Sequence, residues 1–312
     1  MIRVEAPAKI NLFLEVLGKR ADGYHDIRSL LTPISLCDGM DFDVREDGDV
    51  RTEMDLDDLP EIVGVNVADS DGNLTTRAAR LLQQETGCKL GARIRIRKGI
   101  PIGGGLGGGS ADAAMTLVTL NRIWGTNLPR RRRMELAARL GSDIPGLVHG
   151  GVVAVEGVGD RVSPVAGPDA APQPWWLVVV NPGFSTSTRD IYERYRSRLT
   201  SAPESYNNMH SALLTGNVRL AAANLFNSLE STVFDKYPLE RMLVSRLREA
   251  GALGAMVSGS GSSIFALAGD ERQARELERT LRSRADVAIW SRVAKTMPDS
   301  VMAAHDPLEV RV

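Results

Sequence analysis

The chain has 312 residues, 43% apolar and 25% charged, with 38 Lys and Arg against 39 Asp and Glu for a formal charge of −1. That balance excludes a chain built to coat nucleic acid or an anionic membrane, and the composition excludes intrinsic disorder, a collagen-like repeat and a disulfide scaffold. At about 150 residues per domain, the length suggests two domains or one large one.

Ile10, Leu12, Leu14 and Val16 alternate with Asn11, Phe13 and Glu15, which predicts a first strand with one wet face. Met40, Phe42 and Val44 alternate with Asp41, Asp43 and Arg45, and Ala92, Ile94 and Ile96 with Arg93, Arg95 and Arg97, giving two more strands. Helices are expected over 76–85, stopped by Gly87, over 110–124 with Ser110 as N-cap, and over 134–140, ended by Gly141. Residues 157–174, rich in Gly, Pro, Ala and Asp, read as a linker. Beyond it come a strand at 176–180, a long helical region and a helix over 238–250. Strands at 254–258 and 263–268 flank a second glycine turn. A charged helix over 271–284 and a last strand near 287–290 complete an α+β pattern.

Cys37 and Cys88 are the only cysteines, with no metal-ligand spacing, which fits a reducing compartment. Arg3, Glu5 and Lys9 interrupt any signal-like apolar core, and the longest apolar run, 175–180, is strand-sized. A cytoplasmic protein with neither a membrane nor a nucleic-acid partner is expected. Residues 38–61 carry eleven acids and two arginines without a calcium-loop pattern, and read as a solvated face. Arg130 to Arg133 read as a wet helix start. His149, His210 and His305 have no partner motif and read as structural or solvated.

Residues 103–109 hold six glycines, interrupted only by Leu106. Glycine is chosen where backbone turns tightly or approaches a ligand closely. A strand precedes this loop and a helix follows it, so several backbone N–H groups converge at a helix N-terminus, which is a phosphate site. Gly103, Gly105 and Gly108 form G-x-G-x-x-G, but no second strand ending in an acid follows, as a dinucleotide fold requires. The loop ends Gly109-Ser110-Ala111 rather than Gly-Lys-Ser/Thr, so it is not a Walker A loop.

Residues 101–114, PIGGGLGGGSADAA, resemble the central phosphate-binding motif of the GHMP kinases. Pro7-Ala8-Lys9-Ile10-Asn11-Leu12 resembles that family's N-terminal motif, and Ser258 to Ser263 its C-terminal glycine motif. Residues 7–27 are further similar to the branch that phosphorylates a cytidine-diphosphate-linked methylerythritol in isoprenoid precursor synthesis. GSDIP (141–145), EGVGD (156–160) and NPGFSTST (181–188) match it in order.

The resemblance implies a two-domain fold. Residues 1–160 would form a ribosomal-protein-like, ATP-binding domain and 170–300 an α+β C-terminal domain, with the site in the cleft between. It implies ATP with Mg²⁺, bound by Pro101, Ile102, Gly103, Gly104, Gly105, Leu106, Gly107, Gly108, Gly109, Ser110 and Ala111, with no dedicated protein cage for the metal. Gly259, Ser260 and Gly261 would support that loop. Asp143 is implied as catalytic base, where the residues alone allow an N-cap equally well, with Lys9 beside it. Asn11, Tyr24, His25, Thr188 and Tyr192 would contact the cytidylated small-molecule substrate, with the cytosine ring between aromatic faces. The protein would be a monomer or homodimer. Ser228 and Ser262-Ser263 stand where the family often has Asp and Pro-Thr. A mevalonate- or homoserine-type kinase, or a non-catalytic nucleotide- or RNA-binding module, remain the competing readings.

Overall fold

The computed structural model describes residues 1–59, 72–165, 173–196, 203–284 and 288–298. The chain starts as one long antiparallel ribbon, β1 (Ile2–Lys19) against β2 (His25–Arg45). There follow β3 (Val50–Asp55), α1 (Leu74–Thr86), β4 (Gly91–Arg97), α2 (Gly108–Ile123), α3 (Arg130–Ala138), α4 (Ile144–His149), β5 (Val153–Gly157) and β6 (Arg161–Pro164). The rest holds β7 (Trp176–Asn181), α5 (Thr188–Arg194), α6 (Pro203–Thr215), α7 (Val218–Ala223), β8 (Phe226–Asn227) and α8 (Glu230–Lys236). It continues with α9 (Pro238–Glu249), β9 (Gly254–Val257), β10 (Ile264–Ala268), α10 (Glu271–Arg284) and β11 (Trp290–Lys295).

Two sheets result. The first runs β3-β4-β2-β1-β8, with β5 on the other half of β2 and β6 outside β5. The second runs β11-β7-β10-β9. In the second sheet, Leu177, Val179, Phe265 and Leu267 face one core and Val178, Val180, Ile264 and Ala266 face another. A sheet covered on both faces needs continuous apolar strands, which is what WLVVV and IFALA supply. The first of those cores also contains Ile10, Leu12, Phe13, Leu30 and Ile34 of the ribbon. The second sheet and the ribbon therefore share one apolar layer. β8, from late in the chain, pairs in parallel with Phe13 and Leu14 of β1.

Sharing that layer changes the first strand. β1 is buried from Ala6 to Val16 without a wet face, and it extends beyond the predicted residues at both ends. Its polar positions are satisfied internally: Asn11 donates to Ser29 Oγ at 2.9 Å, and Glu15 pairs with Arg28 at 2.7 Å. The first half of β2, absent from the predicted elements, is hidden for the same reason: SLLTPI lacks alternation because both faces are covered. Val44 is exposed rather than inward. Residues 161–164, within the predicted linker, form β6 on the sheet, and residues 166–172 lie outside the described residues. The last strand begins at Trp290 and runs to Lys295, later than predicted.

The acidic stretch is only partly a solvated face. Asp38 and Asp41 are buried. Asp41 lies between Arg3 and Arg97, each 2.8 Å away, and Glu53 pairs with Arg93 across the β3–β4 register. Glu61 lies outside the described residues. The four arginines are inside α3 rather than before it. Arg133 is buried, Arg131 pairs with Glu135 at 3.4 Å, and Arg132 bonds Glu85 and Glu135. His149 Nδ1 bonds Gly150 O at 2.9 Å, and the His210 ring lies 6.5 Å from Tyr206. His305 falls outside the described residues. No helix among the described residues is long and apolar enough to cross a membrane.

Glu240, in the first turn of α9, is fully buried, and neither carboxyl oxygen has a hydrogen-bond partner among the described residues. Burial, and then the Glu230 carboxylate, push its pKa from 4.5 up to about 9. The folded state thus keeps a proton that the unfolded chain releases. Stability present below the unfolded pKa is lost as pH climbs toward 9, with a limiting slope of ~1.4 kcal/mol per pH unit. Denaturant titrations of wild type and Glu240→Gln at mildly acidic, neutral and mildly alkaline pH should show the shallower fall in the variant. Parallel curves would remove Glu240 from the account.

Candidate active site

In the loop between β4 and α2, every second residue from 103 to 107 has left-handed backbone. Gly103, Gly105 and Gly107 have φ of 68°, 74° and 70°. Gly107, not Ser110, caps α2, and no side chain takes the first N–H groups of the helix. Glycine in the left-handed region lets the helix start early, which places Ser110 in the first turn with its hydroxyl free of capping. Four successive loop carbonyls are tied back into the protein. Gly103 O accepts from Thr186 N at 3.2 Å, Gly104 O from Ser263 N at 2.9 Å, Gly105 O from Ser258 Oγ at 3.1 Å, and Leu106 O from Lys9 N at 2.9 Å. Residues 101–104 close a turn, and the backbone N–H groups of residues 105–110 donate to no protein acceptor among the described residues. Carbonyls in and amides out, at the positive end of a sixteen-residue helix, make an anion cradle.

The strand bearing Lys9 runs directly beside this loop. Lys9 is buried, and its stem lies against Gly107, where an added Cβ would stand 3.0 Å from Lys9 Cγ. Its Nζ donates to Asn11 Oδ1 at 2.7 Å and reaches Asp143 Oδ2 at 3.4 Å. Asp143 occupies the N-cap position of α4, yet its backbone is right-handed helical and its side chain makes no cap hydrogen bond. The carboxylate points to Lys9 and keeps 42% of its surface exposed. A buried ammonium, a half-exposed carboxylate and a ring of bare amides stand together.

The glycine turn 258–263 covers them from the second sheet. Ser258 and Ser263 hold two of the four loop carbonyls, and a Cβ on Gly259 would lie 3.4 Å from Asn11 Oδ1 and 3.7 Å from Lys9 Nζ. The serines at 262 and 263 are engaged: Asn181 Nδ2 donates to Ser262 Oγ at 3.2 Å and Ser263 Oγ at 3.0 Å, and the Ser262 hydroxyl donates to Phe184 O. Ser228 Oγ accepts from Val16 N at 3.1 Å, and Asn227 Nδ2 donates to Gly259 O at 2.8 Å. These positions keep hydrogen-bonding side chains, and the turn is tied to β1 through them.

Of the residues expected at the base pocket, His25 and Tyr192 come together, with ring centroids 5.3 Å apart and planes 40° apart. Tyr195 adds an edge to His25 at 6.3 Å. Burial, then Lys19, hold the His25 imidazole below its ordinary pKa, so it is neutral near pH 7. Burial, then the Asp143 carboxylate, push the Tyr192 phenol above its ordinary range. Tyr24 is not in this cluster: it is 68% exposed at the ribbon tip, where its backbone N–H donates to Asp22 at 3.0 Å. A hairpin tip turns adjacent side chains to opposite faces, so His25 inward places Tyr24 outward. Thr188 is also exposed, and its hydroxyl meets Ser260 Oγ at 2.9 Å.

Three charged residues of the site carried no sequence signal of their own. Lys98 Nζ lies 2.7 Å from Asp112 Oδ2 and also bonds Asp38, all three buried under the loop. Asp38 Oδ1 accepts from Gly99 N at 2.7 Å and Ile100 N at 2.9 Å. Burial pushes Asp112 up to about 7 against the pull of Lys98. Burial opposes the Lys98 ammonium as well, but the two carboxylates outweigh it and hold its pKa above the ordinary value. The one available clue was a Lys before and an Asp after the glycine run. No group of three or more His, Cys, Asp or Glu positioned for a metal occurs among the described residues.

The docking of loop on turn sets a stability test. A Cβ on Gly105 would stand 2.7 Å from Gly261 O and closer still to Ser258 O, at a φ of 74°. Gly105→Ala is expected to cost more than the ~1–2 kcal/mol of a left-handed residue alone. Gly18→Ala, into open space, is expected to change stability by less than ~1 kcal/mol. Equal melting temperatures for the two variants would mean that the loop is not clamped against the turn.

Comparison with known proteins agrees with this architecture. Residues 73–156 match the model of the GHMP kinases N terminal domain, and residues 209–287 that of the GHMP kinases C terminal. A 4-diphosphocytidyl-2-C-methyl-D-erythritol kinase of Pelotomaculum thermopropionicum is 39% identical over 282 residues, covering 90% of this chain and 94% of its own. One of Alkalilimnicola ehrlichii is 41% identical over 270 residues, covering 86% and 84%. The crystal structure of a 4-(cytidine 5'-diphospho)-2C-methyl-D-erythritol kinase superposes with a TM-score of 0.75 at 31% identity, over 95% of this chain and all of the other. A homoserine kinase from Cytophaga hutchinsonii superposes at 0.71 with 19% identity, over 95% and 97%, a likeness of fold. The chain belongs to the GHMP kinase family, in the branch formed by the 4-diphosphocytidyl-2-C-methyl-D-erythritol kinases.

Proposed function

We propose that the chain transfers the γ-phosphoryl group of ATP to the 2-hydroxyl of 4-diphosphocytidyl-2-C-methyl-D-erythritol, a step of the methylerythritol phosphate route to isoprenoid precursors. The observation that carries the reading is the cradle of unpartnered amides at 105–110 with Lys9 and Asp143 at its edge, 3.4 Å apart. Phosphoryl transfer needs positioning and charge neutralisation more than covalent help from the protein. The amides of the loop and the α2 N-terminus would hold the phosphates. Asp143 would accept the proton of the acceptor hydroxyl as its oxygen bonds to the γ-phosphorus and the bond to the β-phosphate oxygen breaks, leaving ADP. Lys9 would neutralise charge on the transferring group. Mg²⁺, held by nucleotide phosphates and water with the Ser110 hydroxyl as the protein oxygen at the cradle, would supply further charge neutralisation.

The cytidine end would bind at the ribbon tip against α5. The paired His25 and Tyr192 rings support this, since a base stacks on any aromatic face and a neutral imidazole both donates and accepts. Tyr24 would join only by closing over a bound base. Asn11 and Thr188 would contact the acceptor. In functional terms we divide the chain into a nucleotide-binding part, 1–160, and a part that roofs it, 170–300. Two unpaired cysteines fit a reducing setting such as the cytoplasm. An RNA-binding reading is disfavoured because Arg131 and Arg132 are paired with carboxylates and Arg133 is buried.

ATP consumption should be measured with Mg²⁺ and, in parallel, the cytidylated methylerythritol, mevalonate, homoserine and galactose. Turnover is expected with the first alone. Asp143→Asn should lower kcat by at least ~10²-fold while ATP still binds; unchanged turnover would remove Asp143 as base. His25→Ala should raise KM for the cytidylated substrate by about tenfold and leave KM for ATP unaltered, as loss of one stacking contact predicts. Phosphorylation of one of the other alcohols would keep the kinase and discard this pocket.

A further inference from the structure

We propose that the buried Asp38–Lys98–Asp112 cluster positions the nucleotide: a single ammonium joins the two ends of the phosphate loop and so sets the spacing of its amides. Lys98 is the first residue after β4, and Asp112 lies in the second turn of α2, so the whole loop lies between them. Their 2.7 Å contact closes that loop at its base. Asp38, from β2, bonds the same ammonium and takes the N–H groups of Gly99 and Ile100, the two residues on which the loop departs from the sheet. An added Cβ on Gly108, the first residue of α2, would lie 3.5 Å from Asp38 Oδ2. Entry strand, first amides and exit helix thus converge on one set of charges.

Stability alone does not account for such a group. Removing three charges from water costs more than their attraction returns unless the geometry is tight, and an apolar trio of the same size would fill the space as well. Charge-assisted hydrogen bonds add direction: they fix where each end of the loop sits. An anion cradle whose amides are displaced by about an ångström loses much of its value, because the donors no longer meet the same oxygens. None of the three side chains is in the cradle itself. They are positioning residues acting through the backbone of 99–112.

This inference rests on the loop being the ATP site, and the test separates the two. Lys98→Met/Asp112→Leu removes the link but leaves the formal charge under the loop at −1, since one cation and one anion go together. ATP affinity is measured directly by calorimetry, with KM for the acceptor alcohol and the melting temperature alongside. The expected result is ATP binding weakened about tenfold, as for loss of one charge-assisted hydrogen bond, with acceptor KM within about twofold of wild type. Lys98→Arg, which keeps charge and donors, should retain most of the affinity. Wild-type affinity for ATP in the double variant, or equal weakening for ATP and the alcohol, overturns the proposal. Wild-type protein that fails to bind ATP instead overturns the reading of the loop. Should the double variant not fold, the isosteric Asp112→Asn carries the test: weaker ATP binding with unchanged acceptor KM supports the role, and ATP bound as tightly as by wild type, or more so, removes it.

Discussion

Four carbonyls in a row, Gly103 to Leu106, point away from the place where a ligand would sit, and the site depends on that single orientation. A peptide unit is rigid, so fixing its oxygen fixes its N–H on the other side. The partners come from three separate places: Thr186 after β7, Ser258 and Ser263 around the second glycine turn, and Lys9 in β1. No local rule of the loop produces this. Left-handed glycines permit the path, but contacts spanning nearly the whole chain choose it. The second sheet therefore shapes the glycine loop even though it supplies no amide to the cradle.

That division explains what could be read in the sequence. The cradle was legible because its chemistry requires one residue type, and six glycines in seven positions have no other explanation. Strand β4 was legible because one face is wet, so Ile94 and Ile96 alternate with arginines. The first half of β2 was not, since Leu30, Leu31 and Ile34 are buried beside Ser29 and Thr32 and the period vanishes. The Ser110 cap failed because an anion site leaves its helix N-terminus uncapped, against the ordinary preference. Lys9, Asp143 and the pocket residues were identifiable only through their resemblance to a family. A lone lysine before a strand has no distinguishing pattern, and what makes it special is a neighbour more than a hundred residues away. Asp38 was hidden in a run of acids in which Asp47, Asp49 and Glu53 pair with arginines on the surface.

The geometry of the Lys9–Asp143 pair makes it a weak source of stability. Its lysine is buried and its carboxylate is nearly half exposed. Partial exposure screens the attraction, and a contact of 3.4 Å is longer than an ideal charge-assisted bond. A tight, enclosed pair would resist opening for a third party. This one holds the lysine through Asn11 at 2.7 Å and leaves the carboxylate a free side. The arrangement resembles a base kept ready rather than a staple.

The same logic places the aromatic pocket. His25 lies at the tip of the ribbon and Tyr192 on α5, so neither half of the chain makes the ring pair alone. The ribbon and the second sheet are fused by the apolar layer through Ile10, Phe13, Val179 and Phe265, which leaves no loose joint between their bodies. Any adjustment on binding must then fall to what projects beyond that layer. The ribbon tip with the exposed Tyr24 and Leu17 projects from one side, and the 182–188 segment with Thr188 from the other. A continuous apolar floor with two projecting edges suits a reaction in which phosphates must be held in fixed register while a bulky nucleotide-linked alcohol enters and leaves.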